Sequence, residues 1–171
     1  MKSVYLTGFM GAGKTTVGQV LSHIMNIPVY DTDQEIERAE GKSVKEIFDV
    51  YGEAAFRNME TLQLKKLPAN NAIITTGGGI IVREANRELL NNGYWVYLHC
   101  RQDEIIRRLQ GDQTRPLISG ERILQLPALF EDRLPLYRQA PFIVDTTGKT
   151  IDFIAEEIKE RIKQAEFVHT P

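Results

Sequence analysis

From one end of the chain to the other, short apolar runs alternate with longer stretches in which apolar residues recur every three or four positions. The runs at 2–7, 29–30, 72–76, 94–98 and 142–144 have the length of strands and are flanked by Gly, Pro, Asn or Asp. Between the first two, Val17, Val20, Leu21 and Ile24 predict a helix to about Met25, which Pro28 prevents from continuing. A second helix is expected from Gln34 to the stop at Gly41. Ser43 and Glu46 form a capping box that opens a third, with Val44, Ile47, Phe48 and Val50 as its apolar face. Gly52 breaks the pattern, and a stretch over about 53–67 turns Phe56, Met59 and Leu62 or Leu64 toward a core. Further helices are expected over about 84–92, halted by Gly93, and 102–109. Residues 121–138 read as helix with a break or kink at Pro127 and Pro135. Ile151, Ile154, Ala155, Ile158 and Ile162 mark an amphipathic last helix, followed by a frayed tail from Glu166.

Strands that alternate strictly with helices predict an α/β fold: a three-layer α/β/α sandwich around a five-stranded, all-parallel sheet covered on both faces. The 171 residues suffice for one well-buried core, so a single domain over 1–171 is expected. A formal net charge of −2, with no dense basic run, speaks against nucleic acid or an anionic membrane as partner and leaves room for a small anionic ligand. Cys100 is the single cysteine, which rules out an intrachain disulfide and suggests a reducing compartment; a small buried apolar role suits it best. With the first strand starting at residue 2 and no apolar run of membrane-spanning length, the expected location is the cytoplasm. His23, His99 and His169 show no metal-ligand or triad spacing, so any metal is expected to arrive with a nucleotide.

Chemistry enters at residues 8–15, Gly-Phe-Met-Gly-Ala-Gly-Lys-Thr, which match the phosphate-cradling pattern G-x-x-x-x-G-K-[ST] between a strand and a helix. Glycines let successive N–H groups point at phosphate oxygens, and the helix that follows adds its positive end. Lys14 can reach the terminal phosphates, and the Thr15 hydroxyl can ligate magnesium. Asp31 and Asp33 leave the second strand at the edge where open parallel sheets bind ligands, although Thr32 or Asp33 would serve equally as cap of the helix from Gln34, with Glu35 closing a box on Thr32. No aspartate ends the third strand; Thr75 and Thr76 stand there, which makes Asp31 the better candidate beside the metal. Gly77, Gly78 and Gly79 permit close approach of a ligand to backbone. Arg57, taken alone, reads as a surface residue pairing with Glu53 or Glu60. Residues 111–120, with Gly at both ends and Arg115 between them, suit a lid.

The set comprising the loop at 8–15, Asp31-Thr32-Asp33, Gly52-Glu53 with Phe56-Arg57 and Glu60, Gly77-Gly78-Gly79, Arg115-Pro116-Leu117, and Arg133 with Pro135 and Tyr137 closely resembles the shikimate kinase family, in the same order over nearly the whole chain. That resemblance implies the nucleoside monophosphate kinase-like fold with a mobile lid at about 111–120 and substrate-binding helices at about 33–62. It implies transfer of the γ-phosphoryl of ATP to the 3-hydroxyl of shikimate, with Mg2+, by a monomer. Carried over by position, Gly11, Ala12, Gly13, Lys14, Thr15 and Thr16 would hold the nucleotide, joined by Arg108 on adenine and by Arg115 closing onto the phosphates. Thr15 would bind the metal directly and Asp31 through water. Asp33 would hold substrate hydroxyls and serve as candidate base, while Arg57 and Arg133 grip the carboxylate alongside the backbone of Gly77, Gly78 and Gly79. Lys14, Asp33 and Arg115 form the catalytic set. Two alternatives share these features: another small-molecule or nucleoside monophosphate kinase, for which more lid arginines than Arg115 and Arg122 are expected, and a silent ATP-binding relative, which would have lost Lys14, Asp33 or Arg115.

Overall fold

The computed structural model describes residues 1–111 and 121–168. Its strands are β1 (Val4–Thr7), β2 (Val29–Asp31), β3 (Ile73–Thr75), β4 (Tyr94–His99) and β5 (Phe142–Asp145), and all pair in parallel in the order β2-β3-β1-β4-β5. Val4 sits between Ile73 and Tyr94, and this register buries Val4, Leu6, Ile73, Ile74, Val96 and Leu98 almost completely, as expected of strands covered on both faces. The helices are α1 (Lys14–Met25), α2 (Thr32–Glu40), α3 (Val44–Lys66), α4 (Glu84–Asn91), α5 (Gln102–Gly111), α6 (Glu121–Tyr137) and α7 (Ile151–Val168), with one 3-10 turn at Ile80–Val82. The three-layer α/β/α architecture and the five-stranded parallel sheet are as the alternation requires.

The strand order positions the site. From β1 the chain crosses to the β2 edge, whereas from β3, beside β1, it crosses to β4 on the other flank. Right-handed crossovers in opposite directions lie on opposite faces, so the loops after β1 and β3 part and leave a crevice between them. Above it, α2 and α3 pack on each other around their own small core of Ile36, Ile47 and Phe56, with Val44, Phe48 and Met59 against it.

Several local expectations are revised. The cap of α2 is Asp31, whose Oδ1 accepts from the N–H groups of Asp33 and Gln34 at 3.0 and 3.2 Å, so the helix starts at Thr32 and neither Thr32 nor Asp33 caps it. The capping box of Ser43 and Glu46 is present. The break at Gly52 is a kink within α3, with φ 80° and ψ 170°, a conformation open to glycine. Val50 and Leu62 point to solvent, 62% and 57% exposed, while Leu64 takes the core position. Pro127 and Pro135 lie inside one helix rather than dividing it. α7 stays helical through Val168, past the point where fraying was expected.

Candidate active site

β1 delivers the loop at 8–15, and two glycines bend it: Gly11 at φ 81° and Gly13 at φ 92° occupy the left-handed region, where other residues are strained. The loop is wedged in place. A Cβ on Gly8 would lie 2.8 Å from the Leu98 carbonyl oxygen, and one on Gly11 would press Leu109 of α5 at 3.2 Å. Ala12 is buried, so it contributes backbone, while the first turn of α1 opens Thr15 and Thr16 to the cavity. First-turn N–H groups lack intrahelical acceptors, which makes this helix end a ready anion site. The Lys14 ammonium donates to the carbonyl oxygens of Gly8 and Phe9 at 2.7 and 3.0 Å, folded over the loop whose phosphates it is expected to meet. Arg108 donates to Gly11 O at 3.1 Å and pairs with Glu104, which fixes its guanidinium at the loop's rim.

Asp31 faces the loop from the end of β2. Its Oδ1 is spent on the α2 cap, and its Oδ2 accepts from the Thr75 hydroxyl at 2.7 Å. Among the described residues no cluster of three or more His, Cys, Asp or Glu could hold a metal unaided. Hydroxyl and carboxylate oxygens from Thr15 and Asp31 do suit a magnesium ion that takes its remaining ligands from phosphates and water, and Oδ2 keeps a lone pair for such a water.

The other half of the cavity is built on the three glycines after β3. Gly77 N–H donates to the Thr32 hydroxyl at 3.1 Å. A Cβ on Gly77 would come within 2.6 Å of Asp33 Oδ1 and 3.1 Å of Glu60 Oε1, and one on Gly79 would overlap the Arg57 guanidinium. Only glycine lets these three side chains converge there. Arg57 Nη1 donates to Glu60 Oε2 at 2.6 Å, and its Nε and Nη2 reach Glu53. The Arg57 side chain is 11% exposed and that of Glu60 0%, so this is a buried ion pair rather than the surface interaction the sequence suggested. Phe48 and Phe56 stand 6.0 and 5.6 Å from the guanidinium carbon. Arg133 approaches from α6, its Nη1 3.7 Å from where a Cβ on Gly78 would sit.

Electrostatics single out Asp33. Burial, then the negative charges of Asp31 and Glu60, push its carboxyl up to about 7, against the pull of Lys14. Its Oδ1 and Glu60 Oε1 are buried with no hydrogen-bond partner among the described residues. Burial likewise raises Glu60 above the usual carboxylate range, opposed by Arg57.

One cavity of about 860 Å³ is lined by Gly11, Gly13, Lys14, Thr15, Thr16, Asp31, Asp33, Arg57, Gly77, Gly78, Gly79, Arg108 and Arg133. The phosphate-loop residues thus share one space with Arg57 and Arg133, although up to 122 positions separate them in the chain. Arg115 and most of the expected lid at 111–120 lie outside the described residues. Three residues that the sequence reading left out of the site set stand close to it. Glu60 counter-charges Arg57, Thr32 holds Gly77, and the Tyr137 hydroxyl donates to Gly78 O. Glu60 at i+3 was already a candidate partner of Arg57, and Thr32 and Tyr137 stood among the residues that carry the family resemblance.

A parallel sheet whose first loop has the phosphate-cradling pattern and shares one cavity with Arg57 and Arg133 has the build of a phosphate-loop kinase of small molecules. The family model "Shikimate kinase" matches residues 10–163. A shikimate kinase of Bacillus anthracis is 47% identical over 165 residues, covering 96% of this chain and 100% of that protein. Among solved structures, the shikimate kinase of Acinetobacter baumannii in complex with shikimate superposes with a TM-score of 0.89 at 36% identity, covering 96% of this chain and 94% of that one. That of Bacteroides thetaiotaomicron gives 0.87 at 33% identity, covering 95% and 98%. The chain belongs to the shikimate kinase family, a family of ATP-using kinases.

Proposed function

We propose that this chain, acting as a single cytoplasmic domain and as a monomer, transfers the γ-phosphoryl of ATP to the 3-hydroxyl of shikimate. The observation that carries the reading is the cavity itself. Arg57, Arg133 and the partly buried Asp33 sit at one end and a complete phosphate loop at the other. Among the described residues no helix is long and apolar enough to cross a membrane.

In this reading the first-turn N–H groups of α1 and the loop backbone hold the β- and γ-phosphates, and Lys14 exchanges its two carbonyl acceptors for phosphate oxygens. Arg115, assigned from the resemblance, adds a second cation. Magnesium, held by Thr15 and through water by Asp31, would cancel charge between the phosphates. Arg57 and Arg133 take the carboxylate, with the Gly77, Gly78 and Gly79 backbone beside it; planar guanidinium forks suit such a group. Asp33 accepts the hydrogen bond of the reacting hydroxyl. As that oxygen bonds to the γ-phosphorus and the bond to the β-phosphate oxygen breaks, its proton passes to the Asp33 carboxylate, whose affinity for protons near pH 7 suits the task. Glu60 keeps Arg57 extended over Gly79. Arg108 stands at the rim for the adenine.

The test is ADP release by a coupled assay with and without shikimate, and with a nucleoside monophosphate in its place. The expected result is turnover with shikimate alone. Release that did not respond to shikimate would overturn the reading.

A further inference from the structure

Tyr137 lies in the last turn of α6, four residues after Arg133, and is 1% exposed. Its ring stacks on Tyr97 of β4, with centroids 4.9 Å apart and planes 5° from parallel, and this contact fixes the direction of the hydroxyl. Tyr97 is itself held at its far end by a hydrogen bond of 3.1 Å to His99 Nδ1. The Tyr137 hydroxyl donates to the carbonyl oxygen of Gly78. Burial keeps the phenol protonated well beyond the ordinary range, so it remains a donor at every pH at which the protein works.

Gly78 is a junction. A Cβ there would lie 3.5 Å from the Tyr137 hydroxyl, 3.6 Å from the backbone nitrogen of Met10 in the phosphate loop, and 3.7 Å from Arg133 Nη1. A peptide between two glycines has no Cβ to fix its plane, and either orientation is cheap for the backbone. The peptide unit is planar and trans, so its C=O and the following N–H point in opposite directions. Holding Gly78 O toward α6 therefore aims the Gly79 N–H away from α6.

We propose that Tyr137 is a positioning residue for the acceptor: by holding the Gly78 carbonyl it sets the peptide plane that presents the Gly79 N–H to the substrate carboxylate beside Arg57 and Arg133. The inference rests on the acceptor reading given above. It adds an element that the arginines lack, since a backbone donor at a diglycine step is only as well aimed as the group that locks its peptide.

The experiment is Tyr137→Phe, which removes one oxygen and keeps the stacked ring. The expected result is a KM for shikimate raised about tenfold, the effect of one misaimed hydrogen bond to a charged group. KM for ATP should stay within about twofold, and the thermal transition should remain cooperative. In the 15N spectrum, the Gly79 amide should shift on shikimate addition in the wild type and shift much less in the variant. An unchanged KM for shikimate would overturn the proposal. Loss of the cooperative transition, or an equal rise in both KM values, would overturn it too, by making Tyr137 a residue of the fold alone. Failure of the wild type to turn over shikimate is a separate result that bears on the function itself.

Discussion

Replacing Arg57 with alanine removes two things that the structure separates. The first is the partner of Glu60, whose side chain is 0% exposed and whose Oε1 already lacks a hydrogen bond among the described residues. Breaking a buried pair costs about 3–5 kcal/mol when the remaining charge stays ionised. Glu60, raised by burial, can instead take up a proton once Arg57 no longer opposes it, which holds the loss to the lower part of that range. The second is the grip on the substrate carboxylate, for which a desolvated guanidinium supplies roughly 2–5 kcal/mol, or at least about 30-fold in kcat/KM. The two losses are distinguished by measuring kcat/KM for shikimate and for its methyl ester in four proteins: wild type, Glu60→Gln, Arg57→Ala, and the double variant. The ester carries no charge to pair, so Arg57→Ala should cost the acid at least about tenfold more than the ester. Adding Glu60→Gln to Arg57→Ala should restore melting temperature without restoring the acid. Equal penalties on acid and ester in Arg57→Ala would refute the carboxylate assignment and leave Arg57 as part of the fold.

Two further outcomes follow from the same cavity. Asp33 carries a carboxyl raised from 3.8 to about 7, so between those values the folded chain binds a proton that the unfolded chain has lost; stability of the ligand-free protein should fall as pH rises through that window. Denaturant titrations should show that slope reduced in Asp33→Asn, and an identical slope in the variant would remove Asp33 as its source, while kcat/KM of the wild type should rise with an apparent pKa near 7 as the carboxylate forms. Asp31→Asn keeps a good helix cap but discards a charge; it should leave the melt within about 1 kcal/mol and raise the magnesium concentration needed for half-maximal rate, whereas an unaltered magnesium dependence would take Asp31 out of the metal's surroundings.

The order of elements, the parallel sheet and the phosphate loop were legible in the sequence because each rests on local rules. Strand and helix periods, the capping box at Ser43, and the glycines at Gly11 and Gly13 are set by neighbours within a few positions. The same local reading allowed a break in α6 that does not occur, since an N–H lost at Pro127 or Pro135 does not outweigh the packing of Leu126, Phe130 and Tyr137 in the core. The cap at Asp31 is likewise decided from a distance, since Thr75, 44 residues on, engages the same carboxylate. Charge state is the clearest case. As a string, Arg57 and Glu60 are an ordinary helical surface pair and Asp33 an ordinary acid. Folding covers that pair with Phe48 and Phe56 and places Glu60 beside Asp33 across Gly77, and in a space shielded from water the same groups become a locked cation and a carboxyl that titrates near 7. Propensity acts along the chain, while dielectric environment and the convergence of remote side chains exist only once the chain has folded.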